Sequence, residues 1–272
     1  MAEGDPQFSE GGIDVTDGDR IRVIALDRPA KRNALSTAML TALDSALTTI
    51  RDGKIRVVII QAKGPAFSAG ADISEYSTST DYDFQRFTRL ANEVCSQIQQ
   101  LGVPVIASVK GMALGGGFEL ALSCDLIIAG ADAQFGLPEL NLGLIPGWGG
   151  TRRLTHLIGP YRTRHLLLSG QRIGAEEAQA LGIVSEVVPN TILEEATHKL
   201  ALHIAEQSPS AVEAGLAAIR AVDSSHISSS AANSVEQMEL FSLFNSTDAR
   251  EGLQAFLQKR RPNFTSDISD PN

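Results

Sequence analysis

Two glutamates sit in apolar surroundings. Glu119 lies in Phe118-Glu-Leu-Ala-Leu-Ser123, and Glu139 lies in Gln134-Phe-Gly-Leu-Pro-Glu-Leu-Asn-Leu-Gly143. A carboxyl group withdrawn from water holds its proton more tightly, which suits it to acid or base work. Glu119 lies two residues beyond three consecutive glycines, Gly115, Gly116 and Gly117. Such a run costs backbone entropy, and it makes sense where the main chain must come close to something and leave its N–H groups free. Helical pattern resumes at Phe118, so the glycines open a helix, where unpaired N–H donors can hold an anion or a developing oxyanion. Another glycine-containing turn, Pro65-Ala-Phe-Ser-Ala-Gly-Ala-Asp-Ile73, also follows a strand-like run. A third run, Gly143-Leu-Ile-Pro-Gly-Trp-Gly-Gly150, precedes Thr151-Arg-Arg-Leu and can wrap over the same place and supply a further N–H. Paired carboxyl groups beside an oxyanion-type turn are what proton transfer next to a carbonyl requires. Taken singly, each feature has an ordinary reading: a tight strand-to-helix turn, a first-turn glutamate favoured by the helix dipole, or an ion-paired carboxylate.

Other chemistries lack their residues. There is no Gly-x-Ser-x-Gly elbow, and the stretch from Gly64 to Gly70 lacks the Lys-Ser/Thr of a nucleotide-binding loop. Gly115-Gly-Gly-Phe-Glu-Leu120 matches only the first two glycines of a dinucleotide fingerprint and lies in mid-chain, not in a first strand-helix unit. No two of the histidines at 156, 165, 198, 203 and 226 are four apart, and none pairs with a nearby cysteine, so no metal site is expected.

The elements that must position these residues are visible as periodicity. Strands are predicted at Ile21–Asp27, Arg56–Ala62, Pro104–Val109, Asp125–Ala129 and Ile183–Val188, some as continuous apolar runs suited to burial on both faces. Met39, Leu40, Leu43, Leu47 and Ile50 mark one helix face, with Ser36 as its N-cap and Gly53 as its stop. Phe87, Leu90, Val94, Ile98 and Leu101 mark another. Alternation of strand and helix to about residue 190 implies an α/β core. Beyond Thr191 the signals are helical only. Leu193, Ala196, Leu200 and Ile204 form one stripe, Pro209 opens the next helix, and Val235, Met238, Phe241 and Phe244 line a later one after a polar hinge at Ser224–Ser230. Such stripes serve either as an oligomer contact or as packing within their own core. The expected organisation is a flexible tail over residues 1–12, a core over 13–200, a helical region over 201–264 and a second tail over 265–272.

Composition narrows the partners. A net charge of -9 argues against nucleic acid. No stretch approaches the roughly 20 apolar residues of a membrane span. The start, Met-Ala-Glu-Gly-Asp-Pro, does not read as a secretory signal. Cys95 and Cys124 sit in apolar contexts without metal or redox spacing, as reduced thiols of a cytoplasmic protein would.

Together the segments resemble the crotonase family, the enoyl-CoA hydratases and isomerases. The resemblance runs from about Ile21 to Phe264. It is carried by Asp27-Arg-Pro-Ala-Lys-Arg-Asn-Ala-Leu35, Phe67-Ser-Ala-Gly-Ala-Asp-Ile73, Ala113-Leu-Gly-Gly-Gly-Phe-Glu-Leu-Ala121, Phe135-Gly-Leu-Pro-Glu139 and Ile145-Pro-Gly-Trp-Gly-Gly-Thr151, in that order. It implies a spiral of ββα units with a C-terminal helical oligomerisation region, assembled as homotrimers or hexamers. It implies an acyl-CoA substrate whose thioester carbonyl is polarised by the amides of Ala71 and Gly116, with no separate cofactor. Glu119 would activate water, Glu139 would deliver a proton to the α-carbon, and the Gly147 amide would help hold the water. Isomerase relatives commonly keep only the second carboxylate, so the pair favours hydration. The alternatives are an isomerase, a hydratase-lyase for aromatic or branched acyl groups, or a silent acyl-CoA-binding protein. The coenzyme would lie against Ala30, Lys31 and Arg32 and the loop Ala69, Gly70, Ala71, Asp72 and Ile73, with Lys259 reaching a phosphate, from a neighbouring subunit in one reading. The acyl pocket would draw on the stretch Phe84–Phe87 and the terminal helices. Two positions depart from the family pattern: Ala30 stands where lysine is common, and Trp148 is large for its loop.

Overall fold

β-branched runs separated by amphipathic stretches build a sheet covered on both faces. A computed structural model describes residues 8–52, 54–77, 79–223, 229–244 and 246–264. Its strands are β1 (Phe8–Glu10), β2 (Ile13–Gly18), β3 (Ile21–Leu26), β4 (Val57–Ala62), β5 (Val105–Val109), β6 (Met112–Leu114), β7 (Leu126–Gly130), β8 (Gln134–Gly136), β9 (Ile173–Gly174) and β10 (Glu186–Val188). Its helices are α1 (Thr37–Thr48), α2 (Ile73–Tyr76), α3 (Asp81–Gln99), α4 (Gly116–Ala121), α5 (Gly150–Ser169), α6 (Ala175–Ala180), α7 (Leu193–Ala205), α8 (Pro209–Asp223), α9 (Ser229–Phe244) and α10 (Thr247–Leu257).

The large sheet has the order β1-β2-β3-β4-β5-β7-β10, antiparallel across its first three strands and parallel from β3 onward. In β4 the side chains alternate between two cores. Val58 and Ile60 join Leu40, Leu43 and Val94 of α1 and α3, whereas Val57 and Ile59 join Leu193, Ala201 and Ala205 of α7. Ser36 caps α1 as expected, its hydroxyl accepting from the Met39 amide at 3.2 Å. α1 gives way to a 3-10 turn at Thr49–Asp52, and Gly53 lies outside the described residues.

A small second sheet positions the chemistry. β6 pairs in parallel with β8, Leu114 opposite Gly136, and β8 pairs with β9. The loop before α2 is stitched to the same place by a bridge between Ser68 and Ala113.

Several expectations change. The predicted strands at 21–27, 56–62, 104–109 and 125–129 are present with ends moved by a residue, and the one at 183–188 shortens to Glu186–Val188. β1 pairs with β2, so the expected tail over residues 1–12 does not hold for Phe8–Glu10. β2 and β3 turn through Asp19 and Arg20, both at positive φ, a mirror-image hairpin turn that matches the strand twist. The expected boundary between residues 200 and 201 falls inside α7, which packs on the sheet as one unit. Most of the expected hinge, residues 224–228, and the expected tail, 265–272, lie outside the described residues. α9 and α10 leave Met238, Phe241, Phe244, Leu253, Phe256 and Leu257 exposed. No helix among the described residues is long and apolar enough to cross a membrane.

Candidate active site

The glycine triplet brings three parts of the chain into contact. A side chain on Gly117 would collide with Ser68, whose atoms lie 2.6–2.7 Å from the position its Cβ would take. One on Gly116 would collide with the Trp148 indole, 2.3–2.8 Å away. The close approach lets the Ser68 loop and the Trp148 loop both press on the start of α4. Main-chain bonds complete the junction: Ser68 donates to the Met112 carbonyl at 2.9 Å, Leu114 to the Ser68 carbonyl at 3.0 Å, and Gly115 to the Gly136 carbonyl at 2.9 Å. The last of these sets the start of α4 beside Pro138 and Glu139.

The junction encloses a cavity of about 330 Å³. Ala71 and Gly116 line it, and among the described residues neither amide has a backbone acceptor. They lie close together, since a Cβ on Gly70 would stand 3.4 Å from the Gly116 nitrogen. Glu119, Glu139 and Gly147 line the same cavity, as do Ala69, Gly70 and Ile73. Its remaining wall is Phe84 and Thr88 of α3, with Gly115, Pro138, Leu142, Leu144, Ile145 and Trp148. A larger cleft, about 580 Å³, lies among Arg20, Arg56, His203 and Arg261. Its buried Arg56 is engaged with the carbonyls of Ala205 and Phe264, and it holds neither glutamate of the pair.

The two carboxyl groups differ. Glu119 is 1 % exposed, and its Oε1 accepts from the Trp148 amide at 2.8 Å and the Gly150 amide at 2.7 Å. Burial raises its pKa, while the amides of Gly150 and Trp148, the Arg153 charge and the Gly147 amide pull it back. These bonds favour the ionised form and offset part of the cost of burial. Glu139 opens a 3-10 turn after Pro138 and is half-buried. Its Oε2 is shielded from solvent and has no partner among the described residues. Burial pushes its pKa to about 7, and the nearby Glu119 charge adds to the rise. One group is thus held as an acceptor, and the other keeps a proton near neutrality.

The other expected residues fall outside the cavity wall. Ala30 and Lys31 lie in a 3-10 turn, Pro29–Lys31, followed by Arg32 in the left-handed region. Buried Asn33 ties this turn to the carbonyls of Lys63 and Ala66, and Arg32 accepts from the Ala69 amide. The basic side chains of 31 and 32 are exposed beside the Ala69–Ile73 loop. The Asp72 carboxylate is engaged in capping α2 and pairing with Arg28 at 2.9 Å. Lys259 follows α10, exposed and away from the cavity wall of its own chain.

The acyl-pocket expectation is partly corrected. Phe84 is in α3, Phe87 lies behind Trp148 at a ring separation of 5.7 Å, and among the described residues none from the terminal helices lines the cavity. Leu142, which ends the 3-10 turn after Pro138, and Leu144 and Ile145 beyond it do instead, an apolar cluster. Sequence reasoning also missed Arg153. A charged residue on the helix face shared with Leu154 and Ile158 was the available signal.

Comparison with known proteins agrees with this architecture. Residues 16–267 match the enoyl-CoA hydratase/isomerase family, and the chain belongs to it. Its similarity is to the hydratases. It is 39 % identical over 247 residues to a 2,3-dehydroadipyl-CoA hydratase of Escherichia coli, covering 90 % of this chain and 95 % of that one. It is 38 % identical to a crotonyl-CoA hydratase of Syntrophomonas wolfei, covering 91 % and 95 %. The crystal structure of an enoyl-CoA hydratase from Bacillus anthracis superposes with a TM-score of 0.89 at 37 % identity, covering 93 % of this chain and 98 % of that one. The fold is the crotonase fold, and the chain is an enzyme of the hydratase type.

Proposed function

We propose that the protein adds water reversibly to a trans-2-enoyl-CoA, giving the 3-hydroxyacyl-CoA, with Glu119 as base and Glu139 as acid. The supporting observation is the unequal pair. Glu119 accepts two amide bonds on one oxygen, and Glu139 is a half-buried carboxyl group with a pKa of about 7, whose Oε2 has no partner among the described residues. The thioester oxygen would accept from the amides of Ala71 and Gly116. Glu119 takes a proton from water as its oxygen bonds to the β-carbon. The double-bond electrons move toward the thioester, and the α-carbon receives its proton from Glu139. The negative charge that gathers on the thioester oxygen falls on two amides in a site of low water content, where such donors act most strongly. The Gly147 amide, on the same side as Glu119, would help hold the water.

The acyl group is assigned as uncharged. The 2,3-dehydroadipyl-CoA of the Escherichia coli relative carries a terminal carboxylate, for which a cation is the natural partner. Among the described residues the cavity wall contains no lysine, arginine or histidine. Lys31 and Arg32, with Ala30 and the Ala69–Ile73 loop, are assigned to the coenzyme. Lys259 would join them from a neighbouring subunit in a homotrimer or hexamer, whose contact we assign to the exposed apolar faces of α9 and α10. Two free thiols, Cys95 and Cys124, suit the cytoplasm.

The test is loss of the conjugated-thioester absorbance of crotonyl-CoA, with product analysis and a light-scattering mass. Hydration and a trimer or hexamer are expected. Binding with unchanged absorbance would make the protein a silent acyl-CoA binder, and a shifted double bond without a hydroxyl would make it an isomerase.

A further inference from the structure

Arg153 is a buried cation to which the mechanism above assigns no part. It lies in the first turns of α5 and is 7 % exposed. Its Nη1 donates to the Trp148 carbonyl at 2.7 Å, and its Nε has no hydrogen-bond partner among the described residues. No carboxylate among them forms an ion pair with it. Burying a guanidinium with so few partners is unfavourable. Burial lowers its pKa, and the nearby groups are Cys95 of α3, Arg152 on its own helix, Glu119 of α4, and Cys124. Behind it, a cavity of about 390 Å³ is also lined by Asp125, His156 and Arg220.

The loop between Arg153 and Glu119 gives the arginine its place. The amides of Trp148 and Gly150 point to Glu119, while the intervening Trp148 carbonyl points the opposite way, to Arg153. Gly149 makes the reversal at φ 94°, and a Cβ there would stand 2.9 Å from Arg153 Nη1. We infer that Arg153 is the positioning residue of the base: by holding the Trp148 carbonyl it turns the loop so that its amides grip Glu119. The inference rests on the reading of Glu119 as base.

The test compares Arg153→Met and Arg153→Lys in the full-length protein, with circular dichroism as the folding control. In Arg153→Met, kcat for crotonyl-CoA hydration should fall on the order of tenfold, part of what a general base supplies, with KM nearly unchanged. The acidic limb of the kcat/KM profile should move to higher pH, because Glu119 then holds its proton more tightly. Arg153→Lys should recover much of kcat and return the limb. Trp148 is the only tryptophan, so its emission should shift in the methionine variant. A folded Arg153→Met with wild-type kcat, acidic limb and emission overturns the inference, as does a lysine variant as impaired as methionine. Should methionine prevent folding, Arg153→Gln takes its place with the same criteria. A wild-type protein that hydrates no enoyl-CoA would sink the hydratase reading instead, and the emission change would still decide whether Arg153 holds the loop.

Discussion

The Trp148 amide donates to Oε1 of Glu119 at 2.8 Å. Through that bond the large residue of the loop is fastened by its backbone to one carboxylate, while its ring packs against the glycine turn that precedes the same carboxylate. Loop, helix start and the Glu119 carboxyl group therefore form one unit.

If the two glutamates divide the proton work, each should be indispensable to turnover, while an isosteric amide in its place should still fold. Glu119→Gln and Glu139→Gln preserve shape and remove the ionisable group. Each is expected to lower kcat for hydration by about 10²–10⁴-fold, the usual contribution of a positioned acid or base. Thermal midpoints should stay close to wild type or rise, because a buried carboxyl group is replaced by a neutral amide. Near-normal turnover in either variant removes that residue from the mechanism.

The pH profile should carry the signature of Glu139. Its raised pKa, about 7, means that the proton is retained below that pH and lost above it. If Glu139 is the acid, hydration needs its proton, so kcat/KM for the free enzyme should fall as pH rises through about 7. Dehydration of the hydroxyacyl product needs the ionised form and should rise over the same interval. Steady-state rates in both directions check the sign, and hydration that climbs through pH 7 to 9 would contradict the assignment.

Trp148 should limit the acyl group. It is 3 % exposed, sandwiched between Gly116 and Phe87, and forms part of the cavity wall. Trp148→Ala opens that wall, so kcat/KM for octenoyl-CoA relative to crotonyl-CoA should increase about tenfold or more, the scale of a methylene or two gained in an apolar pocket. Truncating a buried tryptophan also costs about 3–5 kcal/mol of stability. Trp148→Phe, which costs less, should show the same direction in smaller measure. An unchanged ratio in both variants means that the acyl chain runs elsewhere.

What could be read beforehand divides along physical lines. β4 and β5 are buried on both faces and announce themselves as apolar runs, as does the α1 stripe. Glu119 and Glu139 stand out because charge is rare among such neighbours. β2 escapes notice because only Ile13 and Val15 are buried and apolar, while Asp14, Thr16 and Asp17 are half-buried polar residues. β6, β8 and β9, at two or three residues each, are too short to show a period, yet they set Glu139 beside the start of α4. Arg153 acts through a carbonyl five residues earlier, a relation fixed by the loop's fold and invisible to periodicity.

The glycine triplet offers the sharpest test of this unit. A methyl group at Gly116 would overlap the Trp148 ring, so Gly116→Ala must either expel the indole or tilt the Gly116 amide. If the Gly116 amide is an oxyanion donor, tilting misaligns it, and loss of one such donor lowers kcat by about 10²–10³-fold. If the ring is the obstacle, the double variant Gly116→Ala/Trp148→Ala should recover part of that loss, a non-additive cycle expected of residues in contact. Strict additivity would show instead that Gly116 is required for its own backbone conformation and not for the room it leaves. The cycle needs only kcat for crotonyl-CoA in four proteins, each confirmed folded, and its sign separates the two causes.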